Sequence, residues 1–407
     1  MMKQLVFVSL PVMAVLVGAP VVASGQPTFA DDLAFLMDHL DVIALVAPGG
    51  KAQVAVVPAY QGRVMTSTAR GPEGVSFGWV NRELIASGKI QPHINVYGGE
   101  DRFWMGPEGG QFAIFFAPDA PFDLEHWQTP AVIDTEPFDV VEQAADRVSF
   151  RKTTRVGNRA GASFDVRIDR VVRMLSPEQV GKILGVDLPE GLDVVAYETE
   201  NTLTNVGDAP WQKETGLLSI WILGMYNASP DTTVVVPFVA GPESELGPKI
   251  NDAYFGKVPP DRLVVGEDIA FFKGDARHRG KLGVAPRRAK PVIGSYDARN
   301  HALTIVHYTK PEGAEDYVNS MWELQDAPYA GDVVNSYNDG PLAPGKPGLG
   351  NFYELETSSP AAALPPKGSI THVHRTIHLQ GDEAALSAVA GACLGASTDA
   401  IQSAFGE

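Results

Sequence analysis

Turn residues punctuate this chain from end to end, with 41 glycines and 31 prolines spread through 407 positions. Between them stand short β-branched and aromatic runs such as TTVVVPFV, LLSIWILGMY and ALTIVHYTK. A chain interrupted that often cannot sustain a helical bundle, but it can build many short strands joined by turns. Further runs of this kind are AQVAVVPAY, RVMTSTA, QFAIFFA, FDVRIDRVVRML, LDVVAYETENTLTNV, IAFFKG, FYELETSS and SITHVHRTIHL. No repeat with a period of about 20 to 50 residues appears, which argues against a propeller or solenoid.

Helix signals are confined to three stretches. Residues 29–41 place Leu33, Leu36, Met37 and Leu40 at helical spacing behind Asp31 and Asp32. Residues 176–184 offer Ser176 as a cap, Pro177 at the first helical position and Gln179 to close a capping box. Residues 382–394 form the third. No segment of distinct composition divides the chain, so residues 26–407 are expected to form a single all-β domain with a few short helices.

The first 25 residues read differently. Lys3, an apolar run from Leu5 to Val22 and the small residues Ala23, Ser24 and Gly25 have the order of a secretory signal peptide. The expectation is an exported protein, periplasmic or extracellular, with no membrane attachment after cleavage. One cysteine, Cys393, allows no internal disulfide, so stability must come from the core. The formal charge is −17, and removing Lys3 makes it more negative. Such a field disfavours nucleic acid, anionic membranes and polyanionic glycans, and it suits a neutral ligand.

Most familiar catalytic motifs are missing: the sequence has no P-loop or HExxH, and no GxGxxG after a strand. Chemistry-bearing residues concentrate late in the chain. Strand alternation puts Phe352, Glu354 and Glu356 on one face of their run, and His372, His374, Thr376 and His378 on one face of the next. If the two runs are antiparallel neighbours across the turn at Pro365 and Pro366, carboxylates face imidazoles. That would supply acid, base and metal-ligand capacity; the bland alternative is a solvated face of cross-strand pairs. The pattern His372-x-His374 is a two-ligand metal fragment, and Asp or Glu oxygens leave room for calcium, but no cofactor is expected.

The stretch GGEDRFWMGPEGGQF (98–112) is the second candidate. Its glycines permit backbone angles closed to other residues. Glu100, Asp101 and Arg102 can meet sugar hydroxyls, and Trp104 can stack on a pyranose face. The alternative is a buried turn with Arg102 paired to Glu100 or Glu108.

The order of VVPAYQGRVMTSTA, GGEDRFWMGPEGGQF, YETENTLTNVGDAPW and YELETSSPAAALPPKGSITHVHRTIHL resembles the galactose mutarotase-like superfamily, in an exported bacterial branch. The resemblance implies a β-supersandwich and a sugar-related activity: anomer interconversion, glycoside hydrolysis, polysaccharide β-elimination or non-catalytic support. The superfamily's aldose 1-epimerases pair a late glutamate base with a histidine acid in an N-H-x-Y-F-N stretch. Here the matching region reads QKETGLLSIWILGMYN, without a histidine. The resemblance therefore implies Glu354 or Glu356 as base, with an acid from elsewhere in the chain: His278, His307, His372 or His374. Arg63 and Arg102 would clamp hydroxyls, and Trp104 or Trp322 would give a stacking platform. An epimerase or glycosidase acting on a neutral sugar is the leading expectation, with a carbohydrate-binding accessory protein as the rival.

Overall fold

The computed structural model describes residues 26–343 and 345–406. The proposed signal peptide lies outside these residues. Eighteen strands among the described residues form three antiparallel sheets of ten, five and three strands. The ten-stranded sheet is centred on Ala302–Tyr308, Ser369–Gln380, Asp193–Asn205 and Ser163–Met174. The five-stranded sheet runs in the order Gly280–Val284, Val334–Asn338, Phe352–Ser358, Ser219–Asn227, Arg102–Gly106. The third sheet joins Ile43–Val46, Gln53–Val57 and Arg63–Thr68.

The two larger sheets stack face to face, and alternation explains how. Phe103, Met105, Ile220 and Ile222 point inward from the small sheet and meet Val166, Ile168, Val195 and Leu203 of the large one. Each such side chain taken fully out of water contributes about 1.5–3 kcal/mol. The opposite face of the large sheet is also apolar where Leu303, Ile305, Ile377 and Leu379 lie beneath helix Glu383–Leu394. The architecture is the all-β supersandwich with a few short helices.

Local signals at the helices translate directly. Helix Pro177–Leu184 starts at Ser176 with a complete capping box, and Phe29–His39 does so at Thr28. Asp382 accepts from Ala385 at the start of Glu383–Leu394. QFAIFFA is a correction: it forms turns and bends, not a strand, although Ala113 to Phe116 are buried. Its apolar residues are spent on packing, with Phe115 stacked on Trp127 at 6.0 Å, so it becomes an irregular wall with no ladder partner.

Candidate functional site

The outward face of the five-stranded sheet follows from its register. Glu354 lies opposite Tyr337 on one side and Met225 on the other, and Glu356 lies opposite Asn335 and Leu223. Leu223 in turn pairs with Arg102, and Trp221 with Trp104. Lys281 pairs with Tyr337 from the far strand. These residues share one face because they stand opposite one another at intervals of two. Glu354, Arg102, Trp104, Trp221, Lys281 and Tyr337 line a cleft of about 320 Å³ whose sides carry Trp127, Trp322 and Phe352.

Charges are concentrated on that floor. Arg102 Nη2 donates to Glu354 Oε1 at 3.2 Å, and the guanidinium lies 4.3 Å from the Trp104 ring centre. Glu356, fully buried, accepts at one oxygen from Lys281 Nζ at 2.8 Å and Trp221 Nε1 at 3.0 Å. Its other oxygen has no hydrogen-bond partner, nor do Arg102 Nε and Trp104 Nε1. Burial pushes the Glu354 carboxyl up to about 8, against Arg102 and with help from Glu356. Burial likewise raises Glu108, beside this group, to about 7. Lys281 is pulled down by burial, but Glu356 and Glu108 more than reverse this and hold it above its ordinary value. Burial thus favours the protonated form at Glu354 and shifts Glu108 in the same direction.

The expected residues divide between this cleft and the interior. Glu354, Arg102, Trp104 and Trp322 line the cleft, with Glu356 buried in its floor. His372 and His374 do not reach it, and the expected pairing of the two late runs is corrected. The turn at Pro365 and Pro366 carries the chain from the small sheet to the large one, where Ser369–Gln380 pairs with Asp193–Asn205 and Ala302–Tyr308. The histidines keep their common face, but it looks into the sandwich. Thr357 Oγ1, on the back of the carboxylate strand, contacts His372 Nε2 at 2.7 Å and His374 Nδ1 at 2.9 Å. Burial pushes these imidazoles down to about 3 and about 4, so they are neutral.

Arg63, Glu100 and Asp101 are also interior. Arg63 donates to the Gly98 carbonyl and to Gln61, and burial lowers it to about 9. Glu100 accepts from Ser67 and Tyr197 and meets His378 Nε2 at 3.1 Å. Asp101 is paired with buried Arg170 at 2.7 Å and accepts from Thr199. The division has a local cause. Gly98 and Gly99 hold φ of 91° and 110°, and the regular strand begins only at Arg102, so alternation does not extend back through the acidic pair.

Lys281 and Trp221, which the sequence does not single out, complete the floor with Glu108, expected only as a partner for Arg102. The available signal was a lysine inside the apolar strand GKLGV, aligned with Gly283 and opposite in phase to buried Leu282. A histidine does line the cleft wall: His93, whose Nδ1 lies 2.7 Å from the Trp127 carbonyl. A carbonyl only accepts, so Nδ1 carries a proton and Nε2 is the free position. Among the described residues no group of three or more His, Cys, Asp or Glu side chains is arranged to hold a metal ion.

A family model matches the sequence continuously from residue 27 to residue 405. The chain belongs to DUF6786, a family of unknown function. No curated protein matches this DUF6786 chain. Among solved structures, it is similar to the Slr1438 protein of Synechocystis sp. PCC 6803, with 13% identity and a TM-score of 0.50 over 84% of this chain and 96% of that one. A galactose mutarotase-like protein from Lactobacillus casei ATCC 334 is 9% identical, covering 84% and 100% of the two chains at a TM-score of 0.47. A galactose mutarotase related enzyme from Lactobacillus acidophilus is 8% identical, covering 84% and 97% at a TM-score of 0.45. At such identities the likeness concerns the fold alone.

Proposed function

We propose that this is an exported carbohydrate-active protein that binds a neutral sugar in the aromatic cleft and moves protons at its ring. The observation carrying the proposal is the cleft itself: four tryptophans line it, and at its floor Glu354 is paired with Arg102, where burial raises the carboxyl. The C–H edges of a pyranose form an apolar face that suits an indole, while its hydroxyls suit Arg102 and the carboxyl oxygens.

In the chemistry proposed, Glu354 gives its proton to the ring oxygen as the bond from that oxygen to the anomeric carbon breaks. Glu108, poised near neutrality, takes the proton of the anomeric hydroxyl, and an open-chain aldehyde results. Rotation and closure on the other face return both protons. Two carboxyls with separated environments replace the glutamate–histidine pair expected from the sequence. Lys281 holds the Glu356 carboxylate in place, and Arg102 orients Glu354 and meets the charge left when its proton is given up. Neutral sugars also suit the acidic surface charge, and the N-terminal segment supports export.

A non-catalytic binding role is the second reading. It is favoured by the fact that Glu354 and Glu356 are each already engaged by a cation. Titrating tryptophan fluorescence with neutral mono- and oligosaccharides tests the shared premise. Saturable quenching that weakens at least tenfold in Trp104→Ala is expected; no response to any sugar would remove both readings.

A further inference from the structure

The described residues include five leucines and phenylalanines that keep large exposure: Leu124, Phe255, Leu324, Leu342 and Leu349, at 39% to 72%. They come from four separate segments of the chain. Leu124, Phe255, Leu342 and Leu349 all line the cleft, and Leu324 follows Trp322 by two residues. Exposed aliphatic side chains scattered over a surface need no explanation, but convergence from distant segments on one mouth does. The connection between strands Val334–Asn338 and Phe352–Ser358 supplies two of them. Phe255 is further held by the Arg279 guanidinium, 3.8 Å from its ring centre, and by an edge contact with Tyr337.

From floor to mouth the cleft thus changes from charged to aromatic to aliphatic. The one apolar face of a free sugar is already met by the tryptophans, and its hydroxyl rim gains nothing from an aliphatic collar. We infer that the ligand is amphipathic: a glycoside whose sugar ring meets Glu354 and Arg102, and whose apolar aglycone lies against Leu124, Phe255, Leu342 and Leu349. This rests on the sugar reading above and adds the substrate class. This occupant is favoured because the same cleft carries the four exposed apolar side chains, the tryptophans and the Arg102–Glu354 pair, so one ligand can meet all three.

The test is calorimetric titration of the whole mature protein with methyl, butyl, hexyl and octyl β-glucosides and β-galactosides, below their micellar concentrations, and with octanol. Affinity should rise about threefold to fourfold for each methylene that reaches the rim. Leu124→Ser and Leu349→Ser, both on exposed positions, should flatten that rise while leaving the methyl glycoside unchanged. Equal affinity along the series would overturn the amphipathic ligand and leave the sugar reading intact. Octanol binding as tightly as octyl glycoside would instead remove the sugar from the account. A dimer abolished by Leu124→Ser would place a second copy on the rim and also overturn the inference, as would binding by no glycoside at all.

Discussion

Replacing Glu354 by glutamine isolates the proton on which the proposed chemistry depends. Glutamine keeps the shape and can still accept from Arg102 Nη2, now 3.2 Å from Oε1, but it cannot ionise. In the unfolded chain the carboxyl titrates near its ordinary value of 4.5, whereas burial raises it to about 8 in the folded protein. Between those values the folded state holds a proton that the unfolded state releases, so this group's contribution to stability falls as pH rises. Glutamine feels none of that loss. From pH 5 to pH 8 the stability of Glu354→Gln relative to the wild type should therefore increase, by up to about 4 kcal/mol at about 1.36 kcal/mol per pH unit. Urea unfolding of both proteins at pH 5 and pH 8 measures it, and titrating groups that do not interact with Glu354 cancel in the difference. A difference that does not change with pH, or that shrinks, would refute the protonated carboxyl.

Two further substitutions probe the scaffold of the site. Lys281→Met strips the buried Glu356 carboxylate of its cation and should cost about 3–5 kcal/mol in urea unfolding, with most of it recovered in the Lys281→Met, Glu356→Gln double variant. Gly98→Ala places a Cβ 2.0 Å from the Trp79 carbonyl oxygen at φ 91°, whereas Gly161, at φ 84°, has open space around it. Soluble yield and urea midpoint should therefore collapse in Gly98→Ala, while Gly161→Ala loses only about 1 kcal/mol of backbone strain.

The late strand shows where sequence reasoning succeeded. Alternation alone aligned Glu354 with Glu356 and aligned His372, His374 and His378, and both faces are as expected. The sheet to which each strand belongs was not legible. A turn between two apolar runs has the same composition whether it closes a hairpin or crosses between layers, and here it crosses. The glycine pair before Arg102 posed a similar problem. Positive φ at Gly98 and Gly99 breaks the two-residue period, so Glu100 and Asp101 face His378 and Arg170 while Arg102 faces the cleft. Lys281 became meaningful only once register set its strand two places from Glu356, a long-range fact that no local pattern carries. The helix starts, by contrast, rest on contacts within four residues, and the capping box of Ser176 and Gln179 was readable for that reason.

The central claim is proton transfer from Glu354 at a sugar ring, and proton NMR of anomeric exchange tests it most directly. Neutral aldoses are mixed with the wild type and with Glu354→Gln, and the exchange rate between α and β anomeric signals is followed from pH 6 to pH 9. The account predicts acceleration by the wild type that fades above about pH 8, as the carboxyl loses its proton. The acceleration should drop by about 10²-fold or more in the variant. Saturable sugar binding with exchange no faster than in heat-denatured protein would contradict it and leave a binding protein.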